Sequence, residues 1–204
     1  MTALRTTGWI AGLLVAGLAG GSGCGAPAEA PPPVAHASTD TSRAPLLDAD
    51  DPTLLVRPFS AEEIRREWTA GLTLDLRRRT PEGEELERWI VVSADAEGAD
   101  IGYVALDADG APIGEQRVER AGWIELRDHA SFPAEHATRE EAKRETALGP
   151  LDGWIYTVRD EPSGTVSEFF FAASLPGAPV EMRMTRGDEL LLELAQIARS
   201  RADP

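Results

Sequence analysis

Cysteine is almost absent from this 204-residue chain: Cys24 stands alone, beside only three histidines. A lone cysteine has no partner for an intramolecular disulfide, and it leaves no thiolate set from which a structural zinc site is built. Cations are also scarce, with 20 Lys and Arg against 35 Asp and Glu and a net charge of −15. This balance argues against nucleic acid as a partner, because phosphate binding needs clustered Lys and Arg. It also makes an anionic membrane surface repulsive, so any membrane attachment has to come from something other than charge. The chain has no G-x-S-x-G nucleophile elbow and no glycine-rich phosphate loop. Helices do not follow each strand-like segment, as a parallel sheet would require.

The amino terminus carries an address. Residues 1–7 hold one charge, Arg5, and an apolar run from Trp9 to Ala19 follows. That run is short of the about 20 residues needed to cross a bilayer and has the dimensions of a secretory signal peptide. It ends at Gly21-Ser22-Gly23-Cys24, and here the chain resembles bacterial lipoproteins, with small residues at 22 and 23 and Gly21 where an aliphatic residue is usual. The resemblance implies that residues 1–23 are removed and that Cys24 is acylated and becomes the mature amino terminus. The alternative is ordinary cleavage after Ala28-Glu29-Ala30, which would leave a soluble periplasmic or secreted protein. Burial of acyl chains would hold a lipidated protein to a membrane without any basic patch. Residues 24–52, rich in Pro and Ala, then read as a disordered tether reaching on the order of 80 Å when extended. The expected location is the cell envelope, lipid-anchored and facing the periplasm.

Residues 53–204 read as one β-rich domain. Ser60-Ala61-Glu62-Glu63 is a capping box, and Ile64 and Trp68 give the helix that follows one apolar face, with Gly71 expected to end it. Leu72, Leu74 and Leu76 alternate with polar residues, predicting a half-buried strand with its polar face in water. Further strands are predicted over 86–94, centred on Trp89–Val92, over 101–106 and, most weakly, over 113–118, with Asp109-Gly110 as a turn. Trp123, Leu126 and Ala130 share a helical face, and Pro133 stops that helix.

Residues 149–180 form the centre of the pattern. Trp154, Tyr156 and Val158 alternate with Ile155, Thr157 and Arg159, predicting a strand with one buried face, and residues 165–172 supply its hairpin partner with three of the five Phe residues. Val180, Met182 and Met184 predict another strand, with the segment around Leu190–Ile197 folding back on it. Two stretches are ambiguous. Local propensity favours helix at 138–148, where Thr138 and Glu141 make a second capping box, and the stripe Leu190, Leu191, Leu194, Ile197 fits helix as well as strand. The run from His129-Ala130-Ser131-Phe132-Pro133 through Trp154-Ile155-Tyr156, Phe169-Phe170-Phe171 and Pro176-Gly177-Ala178-Pro179 resembles uncharacterised exported β-rich bacterial proteins. These are loosely similar to the half-barrel of periplasmic lipoprotein carriers. That resemblance covers about the last 80 residues, favours strands at both ambiguous stretches and implies a fold, not an activity. The expected fold class is mainly β (α+β), a curved antiparallel sheet or half-barrel of about 7–9 strands with an N-terminal helix and one inserted helix.

No catalytic constellation emerges. His129 and His136 lack the spacing of a helical metal-binding pair. Placing Gly110 at the sixth position of a calcium loop would put Ala105 and Gln116 where carboxylates are required. Paired Glu residues at 62–63, 84–85 and 140–141 lie in polar contexts that give no reason for a raised pKa. No enzyme activity, cofactor or metal is therefore expected. The aromatic residues suggest instead a binding surface on the sheet, with Trp154, Tyr156, Phe169, Phe171 and Met182 as candidate ligand-binding residues for an apolar ligand or lipid. The competing reading makes them an ordinary core and the protein a structural or protein-interaction module of the envelope.

Overall fold

A computed structural model describes residues 47–202, so the expected signal peptide, Cys24 and most of the expected tether lie outside the described residues. Nine strands form one open antiparallel sheet. They are β1 (Leu72–Thr80), β2 (Gly83–Ala94), β3 (Gly98–Leu106), β4 (Pro112–Gly122), β5 (Ala137–Thr146), β6 (Gly149–Asp160), β7 (Thr165–Ala172), β8 (Glu181–Arg186) and β9 (Glu189–Arg201). Their order across the sheet is β4-β3-β2-β1-β9-β8-β7-β6-β5. The chain thus runs outward from the centre in one meander, crosses from edge to edge, and returns in a second meander until β9 pairs with β1. The mainly β fold with an N-terminal and an inserted helix is the one the alternation patterns predict. Among the described residues no helix is long and apolar enough to cross a membrane.

Both helices among the described residues are short. Helix α1 (Ala61–Glu67) starts at the expected box: Ser60 Oγ accepts from the Glu63 amide at 3.2 Å, and the Glu63 carboxylate accepts from the Ser60 amide at 2.8 Å. It stops at Glu67, four residues before the expected end at Gly71. Trp68 leaves helical geometry so that its buried indole donates to the Pro176 carbonyl at 2.9 Å, and Gly71 lies at the entry to β1. Helix α2 (Trp123–Asp128) lies within the crossover and buries Trp123 and Leu126. The Trp123 indole donates to the Asp95 carbonyl at 3.0 Å, pinning α2 to the β2–β3 turn.

One face of the sheet lies under these helices and under an irregular strap, residues 47–59. The strap and the crossover run antiparallel: Leu54 bridges Pro133, the Leu55 amide donates to Phe132 O at 2.9 Å, and the Ala134 amide to Thr53 O at 2.8 Å. Arg57 binds Asp48 at 2.7 Å and Ser131 Oγ at 3.0 Å. Ordered contacts therefore reach back to Asp48, inside the stretch expected as tether. At the other end of α1, Glu67 takes Arg199 at 2.7 Å and Arg201 at 3.3 Å, tying the helix to β9. Leu72, Leu74 and Leu76 point into this covered face and are each at most 2 % exposed.

The opposite face departs from expectation. Strand β6 was expected to bury one face, yet Ile155 on its other side joins Phe170, Ala172 and Val180 in a second apolar cluster, with Ala142, Leu148, Leu151 and Leu175 packed around it. Even on β1 the polar side is only partly wet, and Asp75 receives two bonds from Arg88, at 2.6 and 2.8 Å. Beside this cluster a charge ladder crosses five strands. Glu84, Arg79, Glu193, Arg183 and Glu168 stand directly opposite one another on β2, β1, β9, β8 and β7, so every neighbour has the opposite sign.

The ambiguous stretches are both strands. At 138–148 helix propensity loses to pairing with β6, which sets Glu141 against Trp154. The carboxyl-terminal stripe pairs with β8 as expected, with Leu194 opposite Met182, and also with β1. A strand there is held by backbone bonds on both sides, which outweighs its weak intrinsic preference.

Candidate functional site

The strand period places Trp154 and Tyr156 of β6, Phe169 and Phe171 of β7 and Met182 of β8 on the covered face. All five expected ligand-binding residues are thus brought together. Two rings from irregular segments complete the layer. Phe132 of the crossover lies 4.9 Å from Tyr156 and 5.0 Å from Phe169, centroid to centroid, and Phe59 of the strap meets Trp154 at 6.0 Å and Phe171 at 6.3 Å, edge to face. Tyr156 and Phe171 cross at 89° with centroids 5.6 Å apart. These separations are those of rings in direct contact. Tyr156 is fully buried, Phe171 is 3 % and Met182 5 % exposed, whereas Trp154 and Phe169 remain half-buried.

Polar contacts close the rim. The Tyr156 hydroxyl donates to the Val56 carbonyl of the strap at 2.7 Å and accepts from Arg139 Nε at 2.9 Å. The Arg139 guanidinium also lies over Trp154, 4.8 Å from the ring centroid. Burial raises the Tyr156 pKa, with Arg139 opposing the shift, so the phenol stays neutral and serves as a fixed hydrogen-bond donor.

Two further aromatics, Trp89 and Tyr103, make a separate group on the other half of the same face. Trp89 meets Tyr103 edge to face at 5.4 Å, and Arg117 stacks over Tyr103 at 5.1 Å. Glu87 shares their face, being paired with Leu76 and Ala105. Desolvation raises its carboxyl pKa, with a hydrogen bond from Trp89 and the charge of Arg117 opposing it, and burial likewise pushes the Tyr103 phenol up to about 12. Sequence reading missed Glu87, although the alternation Glu87, Trp89, Val91 carries the signal. A carboxylate whose folded pKa exceeds its unfolded one costs stability once the pH rises past the unfolded value. Glu87→Gln is therefore expected to raise the melting temperature at neutral pH, and the gain should vanish well below pH 4.5, where Glu87 is protonated in both states. Thermal melts of both chains at the two pH values check this; an equal gain at both would sink the assignment.

The histidines lie apart from both groups. His129 caps α2 and is half-buried, which lowers its pKa, while His136 is exposed beside Glu135 at 3.2 Å. Among the described residues no three metal-ligating side chains cluster. Asp107 forms the expected hairpin turn, its carboxylate accepting from the amides of Asp109 and Ala111 at 2.9 and 2.8 Å.

No family model and no curated protein matches the chain. Among solved structures, the fold is similar to MucB, at 14 % identity and TM-score 0.48, with 69 % of this chain and 57 % of that one covered. It is also similar to a chain of the Pseudomonas aeruginosa MucA/MucB complex, at 13 % identity and TM-score 0.46, covering 70 % of this chain and 56 % of that one. A domain from Vibrio parahaemolyticus described as an outer-membrane lipoprotein-sorting protein aligns at 11 % identity and TM-score 0.24, over 69 % of this chain and 90 % of that domain. The chain spans less than two thirds of the length of both chains of the MucB structures.

Proposed function

We propose that this protein is an envelope lipoprotein, anchored through Cys24, whose sheet domain is a non-catalytic protein-interaction module. The observation that carries the reading is the filling of the aromatic layer: Phe59 and Phe132 occupy the space over Trp154, Tyr156, Phe169 and Phe171 that an apolar ligand would need. A layer packed by its own rings serves as core, and binding then falls to the surface of the sheet. The anchor rests on the amino-terminal pattern, Gly21-Ser22-Gly23-Cys24 after a short apolar run.

A second reading keeps Trp154, Tyr156, Phe169, Phe171 and Met182 as a ligand site for an apolar chain. It is favoured by the half-exposed Trp154 and Phe169 at the edge of the layer, and requires the strap to lift. Native mass spectrometry of the full chain, purified without detergent from a bacterial periplasm after Cys24→Ala, separates the two. A bare monomer or oligomer mass supports the interaction module. An adduct of lipid size, lost on organic extraction, overturns it in favour of the ligand site. In the same preparation Cys24→Ala should shift the protein from the membrane to the soluble fraction, and unchanged location would refute the anchor.

A further inference from the structure

The two edges of the sheet are unlike. Edge strand β4 begins at Pro112, carries Gly114 at a φ of 76°, and breaks register with β3 between Tyr103 and Ala105. Such a bulge twists the edge away and blocks further pairing. Edge strand β5 has no bulge and no proline. Its ladder with β6 runs unbroken through ten pairs, from Ala137↔Val158 to Thr146↔Gly149. Its outer side therefore offers a straight row of backbone donors and acceptors.

The charges on β5 have a pattern of their own. Arg139-Glu140-Glu141-Ala142-Lys143-Arg144-Glu145 inverts sign about Ala142. When two copies lie antiparallel about a two-fold axis through Ala142, Glu141 faces Lys143, Glu140 faces Arg144 and Arg139 faces Glu145, each pair occurring twice. Directly opposite residues share a sheet face, and opposite charges there attract. Neighbouring registers fail. With Glu141 opposite its own copy, Arg139 meets Lys143; with Lys143 opposite its own copy, Glu141 meets Glu145. The pattern thus favours one register and penalises the next on either side.

The rest of the strand suits this pairing. Three acidic and three basic residues make this stretch neutral in a chain of net charge −15, so the edge does not repel its copy. Glu140, Glu141, Lys143 and Glu145 are exposed. Arg139 is held over Trp154 and by Tyr156, and Arg144 is held by Glu168 and Glu181, so the exposed Glu141 and Lys143 carry the pairing most directly. We infer that β5 is a homodimerisation edge, joining two copies of this chain into one continuous antiparallel sheet by two-fold pairing centred on Ala142.

Sedimentation equilibrium of the full chain in mild detergent tests this with two charge reversals at exposed positions. The unaltered chain should show a mass that rises toward the dimer with concentration and falls back as salt is added. Glu141→Lys and Lys143→Glu should each weaken self-association by roughly tenfold or more, since each places like charges opposite twice. Mixed one to one, the two variants should form a heterodimer, because Lys at 141 then faces Glu at 143. A chain that stays monomeric at every concentration overturns the inference, as do single variants that dimerise like the unaltered chain, or a mixture that stays monomeric. Circular dichroism of the single variants should match the unaltered chain, which keeps unfolding from imitating the result.

Discussion

Trp68→Ala is expected to destabilise the domain by about 3–5 kcal/mol, the range for emptying a site of this size in a core. Trp68 is 1 % exposed and stands where α1, β1 and the loop after β7 converge. Its indole hydrogen bond to Pro176 would be lost as well, leaving that half-buried carbonyl without its donor. The fit is close on the far side. A Cβ at Gly177 would lie 2.1 Å from the Trp68 ring nitrogen, and Gly177 has a φ of 122°, so the loop is shaped around the ring and cannot readily refill the hole. Domains are stable by only about 5–15 kcal/mol, so a loss of this size is a large part of the total. Urea unfolding checks it: the midpoint should drop with the slope unchanged. A shift under about 1 kcal/mol would show that the site collapses or that Trp68 is not the pin described.

Phe132→Ala is expected to cost a similar about 3–5 kcal/mol, through a different outcome. Phe132 is 7 % exposed and fills the gap between Tyr156, Phe169 and Phe171. Its removal should leave an apolar void bounded by aromatic rings, and such voids stay dry and take up small apolar molecules. Benzene should therefore raise the melting temperature of the Phe132→Ala chain and leave the unaltered chain unmoved. If benzene stabilises the unaltered chain as much, the layer already has room, and the apolar-ligand reading gains at the expense of the interaction module.

Where the sequence spoke clearly, it spoke through period two. Leu72, Leu74 and Leu76, or Trp154 and Tyr156, name their strands and their buried face because burial on a sheet has no other spacing. The same alternation carried the candidate residues of the aromatic layer. Phe59 and Phe132, which fill it, sit in the strap and the crossover, where no period exists to mark which way a ring points. Reading β6 with a single buried face left Ile155 outside the core; its burial depends on Phe170 and on loop residues such as Leu148 and Leu175. At 138–148 a local preference for helix was overridden by β6, a partner that a window of sequence does not contain. Helix α1 ended at Trp68 because of Pro176, more than a hundred residues away.

The pairing of β1 with β9 has a consequence for how the molecule is made. Leu72 faces Arg201, so the centre of the sheet is a seam between early and late parts of the chain. Each meander is local and can zip as soon as its hairpins exist, but the seam closes only when the last strand arrives. A chain delivered amino end first therefore spends the interval as two half-sheets, with β1 and its row of leucines open along one side. During that interval the hazard is a foreign strand in the place of β9, and the 13 residues of β9 act as the clasp that ends it.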